Sequence, residues 1–146
     1  MELRDHLNGT GPAQLQGFFE GWPNPPTPDT LHRLLAASYR ISLAVEEGGR
    51  VVGFAQAISD GVLTAFLPLL EVLPEYRGRG LGTALMRRLL GQLEHLYAVD
   101  LSCDADLVPF YERLGMGRSN AMFTRNYARQ SGATSPSGTP EPGGLH

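Results

Sequence analysis

Between residues 72 and 90 the chain reads VLPEYRGRGLGTALMRRLL, which places Gly78, Gly80 and Gly82 where an apolar strand hands over to a helix. Glycine weakens a helix and loosens a loop, so three of them at one junction are costly unless the backbone there does something side chains would prevent. Such a turn leaves the N–H groups of the first helical turn pointing outward, and the helix dipole favours negative charge there. Missing Cβ atoms also let an anion approach the backbone. The junction therefore predicts a strand–turn–helix unit with an anion site at its bend.

The surroundings of that unit follow from periodicity and turn chemistry. Leu81, Leu85, Leu89 and Leu93 recur every four residues and mark an amphipathic helix after the glycines. Before them, VLTAFLPLLEVL is apolar on both faces over much of its length, as a central strand is. RISLAV and VVGFAQAIS, joined by EEGGR, predict a hairpin, and Asp60-Gly61 a second turn. Further upstream, AQLQGFFEGW suggests a short helix and WPNPPTP a stiff loop. Thr27, Pro28 and Asp29 then start a helix over TPDTLHRLLAAS. Downstream, YAVDLSC is a short strand, DLVPFYERLGM a helix capped by Asp106, and AMFTRNYA a closing strand. At the N-terminus only ELR could add a strand. The strand–helix–strand unit implies a parallel crossover within an otherwise antiparallel sheet, so the class is α+β with a mixed sheet.

The chain of 146 residues suits one domain, expected over residues 2–128. Residues 129–146, reading QSGATSPSGTPEPGGLH from Gln130, form a disordered tail too polar to offset its ordering entropy. A formal net charge of −3 argues against nucleic acid as a partner. Apolar stretches fall short of the ~20 residues of a membrane span, and MELRDHLNGTGPAQ has no signal-peptide layout. With one cysteine, Cys103, no internal disulfide can form, and the chain reads as a soluble cytoplasmic protein. Cys103 itself reads as a small buried strand residue. His6, His32, His95 and His146 show no metal spacing, so no metal is expected.

Two phosphate-binding patterns fail on inspection. A Walker loop needs lysine after its second glycine, where this chain has Gly82-Thr83, and the dinucleotide pattern would need glycine at Thr83. What matches is R-x-x-G-x-G, carried by Arg77, Gly80 and Gly82. This resembles the coenzyme A loop of the GCN5-related N-acetyltransferase (GNAT) superfamily. FYERLGM, residues 110 to 116, resembles that superfamily's second signature, and the resemblance runs from about Ile41 to Tyr127.

The resemblance implies a mixed, mostly antiparallel sheet flanked by helices and splayed at its centre. It also implies acetyl-CoA as co-substrate. The amides from Gly78 through Arg79, Gly80, Leu81 and Gly82 to Thr83 would grip its pyrophosphate, with Arg77 and Arg79 adding charge. The strand ending at Leu70, Val72 and Leu73 would pair with the pantetheine arm. Tyr111 matches the superfamily's general acid, and its neighbours Phe110 and Leu114 read as core. Seven residues earlier the family has asparagine on the pantetheine arm; Asp104 stands here, and an ionised carboxylate cannot donate that hydrogen bond.

The general base is open between Glu71, beside the pantetheine strand, and Asp60, at a turn that could reach the acceptor. Phe18 and Trp22 are either core or the wall of an acceptor pocket, with Glu20 as partner for the amine's charge. The first functional reading is acetyl transfer to a small primary amine. Acetylation of a protein lysine or N-terminus is the same-class alternative, and a non-catalytic acyl-CoA sensor the alternative of another class. Exposed edge strands are compatible with a homodimer.

Overall fold

The computed structural model describes residues 1–133; most of the expected tail, 134–146, lies outside the described residues. The elements are β1 (Glu2–Arg4), α1 (Pro28–Ala36), β2 (Arg40–Val45), β3 (Val51–Ser59), β4 (Thr64–Phe66), β5 (Leu70–Val72), α2 (Leu81–Gly91), β6 (Ala98–Asp100) and α3 (Val108–Arg113), with short 3-10 turns between them. The six strands form one mixed sheet in the order β1-β2-β3-β4-β6, and β5 pairs with β3 beyond the end of β4. Every pairing is antiparallel except β4 with β6, which is parallel. This is the expected α+β class with its parallel crossover.

The sheet carries a core on each face, and the alternation of side chains along β3 explains both. Phe54 points to the face covered by α1 and the N-terminal segment, where Leu31, Leu35, Leu43 and Leu15 are buried with it. Gly53, Ala55 and Ala57 point to the other face and leave room for α2, whose Leu85, Met86 and Leu89 are buried against them. A Cβ at Gly53 would stand 2.9 Å from Leu85 Cδ1 and 3.3 Å from the Glu71 carbonyl oxygen, so helix and sheet already touch there. Two polar contacts lock α2 onto β2: Ser42 Oγ donates to the Leu85 carbonyl at 2.8 Å, and Gln92 Nε2 donates to that of Ile41 at 2.9 Å.

Several expectations need correction. The long central strand is broken into β4 and β5 at Leu67–Leu69, where proline 68 removes a ladder donor. AQLQGFFEGW is not a helix. Only Pro12–Gln14 makes a 3-10 turn, and Gly17, Phe19 and Gly21 then take φ of 92°, 64° and 83°, which no right-handed helix tolerates. The strand at YAVDLSC shortens to Ala98–Asp100. α3 begins at Val108 after a 3-10 turn over Ala105–Leu107, so Asp106 lies inside that turn, and the Asp104 carbonyl accepts from Leu107 N. Cys103 is exposed rather than buried, because β6 ends three residues before it.

AMFTRNYA forms no strand. It runs past β6 without joining the ladder and leaves Met122 93% and Phe123 60% exposed. The chain then bonds back onto the body through residues placed in the expected tail: Gln130 Oε1 accepts from Asn24 N at 3.1 Å, and the Gly132 carbonyl accepts from Arg33 Nη2 at 2.5 Å.

The packing of α2 yields a first prediction. Leu85 is fully buried where the helix meets Gly53. Leu85→Ala should lower the unfolding free energy by about 2–5 kcal/mol in urea titrations, the range for emptying a large-residue core site.

Candidate active site

The site begins where the sheet parts. Leu67 N donates to the Asp100 carbonyl at 2.9 Å, the last backbone bond on the β4–β6 side, while Gln56 N donates to the Leu69 carbonyl at 3.2 Å on the β3 side. Past this point β5 stays with β3, and the chain after β6 turns away to α3, so the sheet opens into a splay. The Leu69 carbonyl and Leu73 N both engage β3. Ladder alternation then turns the amides and carbonyls of Leu70 and Val72 toward the splay. The Val72 carbonyl accepts from Arg77 Nε at 3.0 Å, as an outward group can. Leu73 is core, 2% exposed, and contributes no side chain to the opening.

The glycine turn lies at the mouth of this splay. Gly78 and Gly80 have φ of 76° and 79°, left-handed values that side chains resist, and a Cβ on either would enter open space. Gly80 is the cap residue of α2, yet no side chain caps the helix, and the first turn carries no acidic residue. Ala84 N bonds the Gly80 carbonyl at 3.1 Å, leaving the amides of Leu81, Gly82 and Thr83 to an external acceptor. Gly82 differs from its neighbours in facing α3: a Cβ there would make ordinary contact with the Phe110 ring at 3.6 Å rather than enter open space. These features fit an anionic diphosphate at the turn and an extended amide-bearing arm along β5.

Neither arginine points its charge into the turn. Arg77 is held by the Val72 carbonyl and lies 3.9 Å from Glu20. Arg79 Nη2 donates to the Glu75 carbonyl at 2.9 Å, and its guanidinium stands over the Tyr76 ring. Glu20 is exposed and faces Arg77, a loose surface pair.

Glu71 is the carboxylate the fold brings to the splay. It is half-buried, and its Oε1 accepts from Phe19 N at 3.1 Å. Burial pushes its pKa above the ordinary carboxylate value, against smaller lowering effects from the Phe19 amide and Arg77. Phe19 is held in a left-handed conformation, rare for a bulky residue, with its ring buried against Phe54 and Trp22. Phe18 meets Phe54 edge-on, with ring centroids 5.0 Å apart, and packs against both cores.

Asp60 is not brought to the site. At the β3–β4 turn its Oδ1 accepts from Val62 N and Leu63 N, and these bonds hold its pKa low.

Tyr111 comes from α3; it packs against the same buried core as Leu70, Val72 and Leu81, and its ring meets that of Phe110 edge-on at 4.9 Å. Burial raises the pKa of its phenol, and the neighbouring Cys103 thiol adds to the effect. It lines a cavity of about 570 Å³ between β6, α3 and the unpaired segment. Asp104 is exposed at the start of the turn before α3.

A second cavity, of about 680 Å³, has Trp22 on its wall, one of the two readings of that residue, whereas Phe18 packs against the core and does not line it. Trp22, Phe66, Pro68 and Leu69 form one side, and Phe123 to Tyr127 the other. Phe66 had read as strand interior, and only the aromatics at 123 and 127, each beside a polar residue, hinted at a wall. Among the described residues no cluster of His, Cys, Asp and Glu could hold a metal, and no helix is long and apolar enough to cross a membrane.

A splayed mixed sheet with an uncapped, glycine-turned helix at its mouth presents an anion site beside an unpaired strand edge. The chain belongs to the acetyltransferase (GNAT) family, whose model matches residues 7–116. A crystal structure from Deinococcus radiodurans R1, provisionally assigned as an acetyltransferase, is 56% identical with a TM-score of 0.89, covering 92% of this chain and 94% of that one. A GNAT-family acetyltransferase from Streptococcus pneumoniae TIGR4 is 26% identical with a TM-score of 0.70 over 86% of this chain and 97% of its own. The uncharacterized N-acetyltransferase ycf52 of Porphyra purpurea is 32% identical over 99 residues, 65% of this chain and 57% of that protein. This chain thus spans little more than half the length of that curated relative.

The turn geometry is directly testable. Gly80→Ala should cost about 1–2 kcal/mol through its left-handed backbone. It should also weaken coenzyme A binding about tenfold or more by calorimetry, as its methyl enters the open mouth. Gly49→Ala, equally strained at φ 93° in the β2–β3 turn, should leave that affinity unchanged.

Proposed function

We propose that the protein transfers the acetyl group of acetyl-CoA to a primary amine of a small molecule. The observation that carries this reading is the half-buried Glu71 on the strand whose Leu70 and Val72 face the splay, beside an open and uncapped glycine turn. The amides of Leu81, Gly82 and Thr83 would hold the diphosphate, and the outward groups of Leu70 and Val72 the pantetheine arm. Bound there, acetyl-CoA supplies an acetyl group already activated as a thioester. The size of the second cavity, about 680 Å³ between Trp22 and the 123–127 segment, supports a small acceptor over a protein one. The unpaired segment and the edge at β6 support a homodimer.

Three tasks fall to the protein. An amine of pKa near 10.4 must lose a proton to attack, and Glu71, with its raised pKa, is suited to take it near neutral pH. Charge developing on the carbonyl oxygen needs a donor, and the Val72 amide faces that space. The departing thiolate needs a proton, which the Tyr111 phenol, still protonated at neutral pH, can give.

Thiol release from acetyl-CoA across a panel of amines and peptides tests the reading. Glu71→Gln should lower kcat/KM by about 10²–10³ and remove the acid limb of its pH profile. Tyr111→Phe should lower kcat while acetyl-CoA still binds. Turnover of peptides alone would favour a protein acceptor, and acetyl-CoA binding without turnover of any acceptor a sensor.

Glu71 also makes a stability prediction. Its folded pKa lies above the unfolded one, so the folded state holds the proton more tightly, and stability falls as pH rises through that interval. Gln at this position keeps an oxygen for Phe19 N and carries no buried charge. Urea titrations should therefore show Glu71→Gln gaining on the wild type as pH rises above the ordinary carboxylate range and the raised carboxyl ionises.

A further inference from the structure

The cavity between Trp22 and the 123–127 segment has a chemistry of its own. Its lining includes three aromatic rings, Trp22, Phe66 and Phe123. Among the residues lining it, one is charged: Arg125. The Arg125 guanidinium stands 4.4 Å from the Phe123 ring centroid and donates to the Thr124 carbonyl at 3.1 Å, and no carboxylate pairs with it among the described residues. The carboxylates that might have received a cationic amine do not line this cavity: Glu20 lies beside Arg77, and Asp60 is held in its own turn. A simple aromatic amine would therefore enter as a cation against a like charge. An amine that also carries a carboxylate would meet a guanidinium suited to bind it bidentately.

Pro68 and Leu69, on the cavity's wall, run directly into Leu70–Val72 and Glu71. The geometry points to an aromatic α-amino acid as the acceptor, its ring between Trp22 and Phe66, its carboxylate at Arg125 and its amine toward Leu69 and the splay. About 680 Å³ falls within the ~300–1,000 Å³ of small-molecule sites. This assignment rests on the acetyl transfer proposed above. In that step the α-amino nitrogen forms a C–N bond with the acetyl carbonyl carbon, and the C–S bond of the thioester breaks. The ammonium first gives one proton to Glu71, which frees the amine to attack; the departing thiolate takes the Tyr111 proton, and the second proton leaving the nitrogen restores the phenol. The products are an N-acetyl amino acid and the coenzyme A thiol, after which Glu71 returns its proton to solvent.

The test compares L-phenylalanine, phenethylamine (the same body without the carboxylate) and glycine (the carboxylate without the ring). Thiol release should give L-phenylalanine a kcat/KM at least about tenfold above either, and Arg125→Gln should abolish its advantage over phenethylamine. Trp22 is the chain's only tryptophan, so its fluorescence reads the cavity directly in the full chain without acetyl-CoA. It should respond to L-phenylalanine at lower concentration than to phenethylamine. Phenethylamine or glycine turned over as well as phenylalanine would overturn the assignment and leave acetyl transfer standing. Acetyl-CoA binding with no amine or amino acid turned over would overturn both.

Discussion

The parting of the sheet at Leu67–Leu69 is the constraint on which the rest depends. One strand's worth of chain keeps one neighbour and loses the other: β4 pairs with β3 on one edge and β6 on the other, and β5, after a three-residue break, pairs only with β3. Pro68 cannot donate at the break, and the polypeptide goes on past it with β3 alone. Because Leu69 and Leu73 look toward β3, Leu70 and Val72 must look toward the gap. A backbone edge buried on both faces yet unpaired along its length would be costly in a closed fold. Here it is the surface against which an extended amide chain fits.

Much of this was visible in the residues. The glycine junction, the period-four leucines and the hairpin turns each state a local preference that tertiary packing then follows. Thr27 caps α1 as its sequence suggests, its side chain accepting from Thr30 N. What escaped was wherever the backbone left its usual regions or changed partners. VLTAFLPLLEVL is uniformly apolar and carries no mark of a partner change except its proline. Phe19 at positive φ cannot be read from a phenylalanine. AMFTRNYA has strand composition, but composition describes a willingness to pair and not whether an edge is within reach.

The site was readable in the same uneven way. The amides of the turn follow from glycine spacing, because backbone geometry is nearly all that glycine encodes. The two arginines were expected to add charge at the turn, and in the fold each is taken up by a nearer carbonyl and ring or carboxylate. Glu71 and Asp60 were both candidates by sequence, Asp60 the weaker because Asp-Gly is an ordinary turn pair. Burial separates them, raising one carboxyl and leaving the other bonded to its own turn. The aromatic cavity joins residues 22, 66 and 123, too far apart in the chain for any local pattern to unite them.

Gly53, Ala55 and Ala57 have a further consequence. They are the bed on which α2 rests, and α2 carries the glycine turn at one end. The position of the turn is therefore set by the volume of side chains absent from the middle of β3, through a rigid rod 11 residues long. A methyl group gained under the rod becomes a displacement at its tip. Residues that touch neither turn nor splay thus act on the opening as shims act on a hinge, and divergence among related chains in this hidden strip would retune the mouth without altering one residue of its motif.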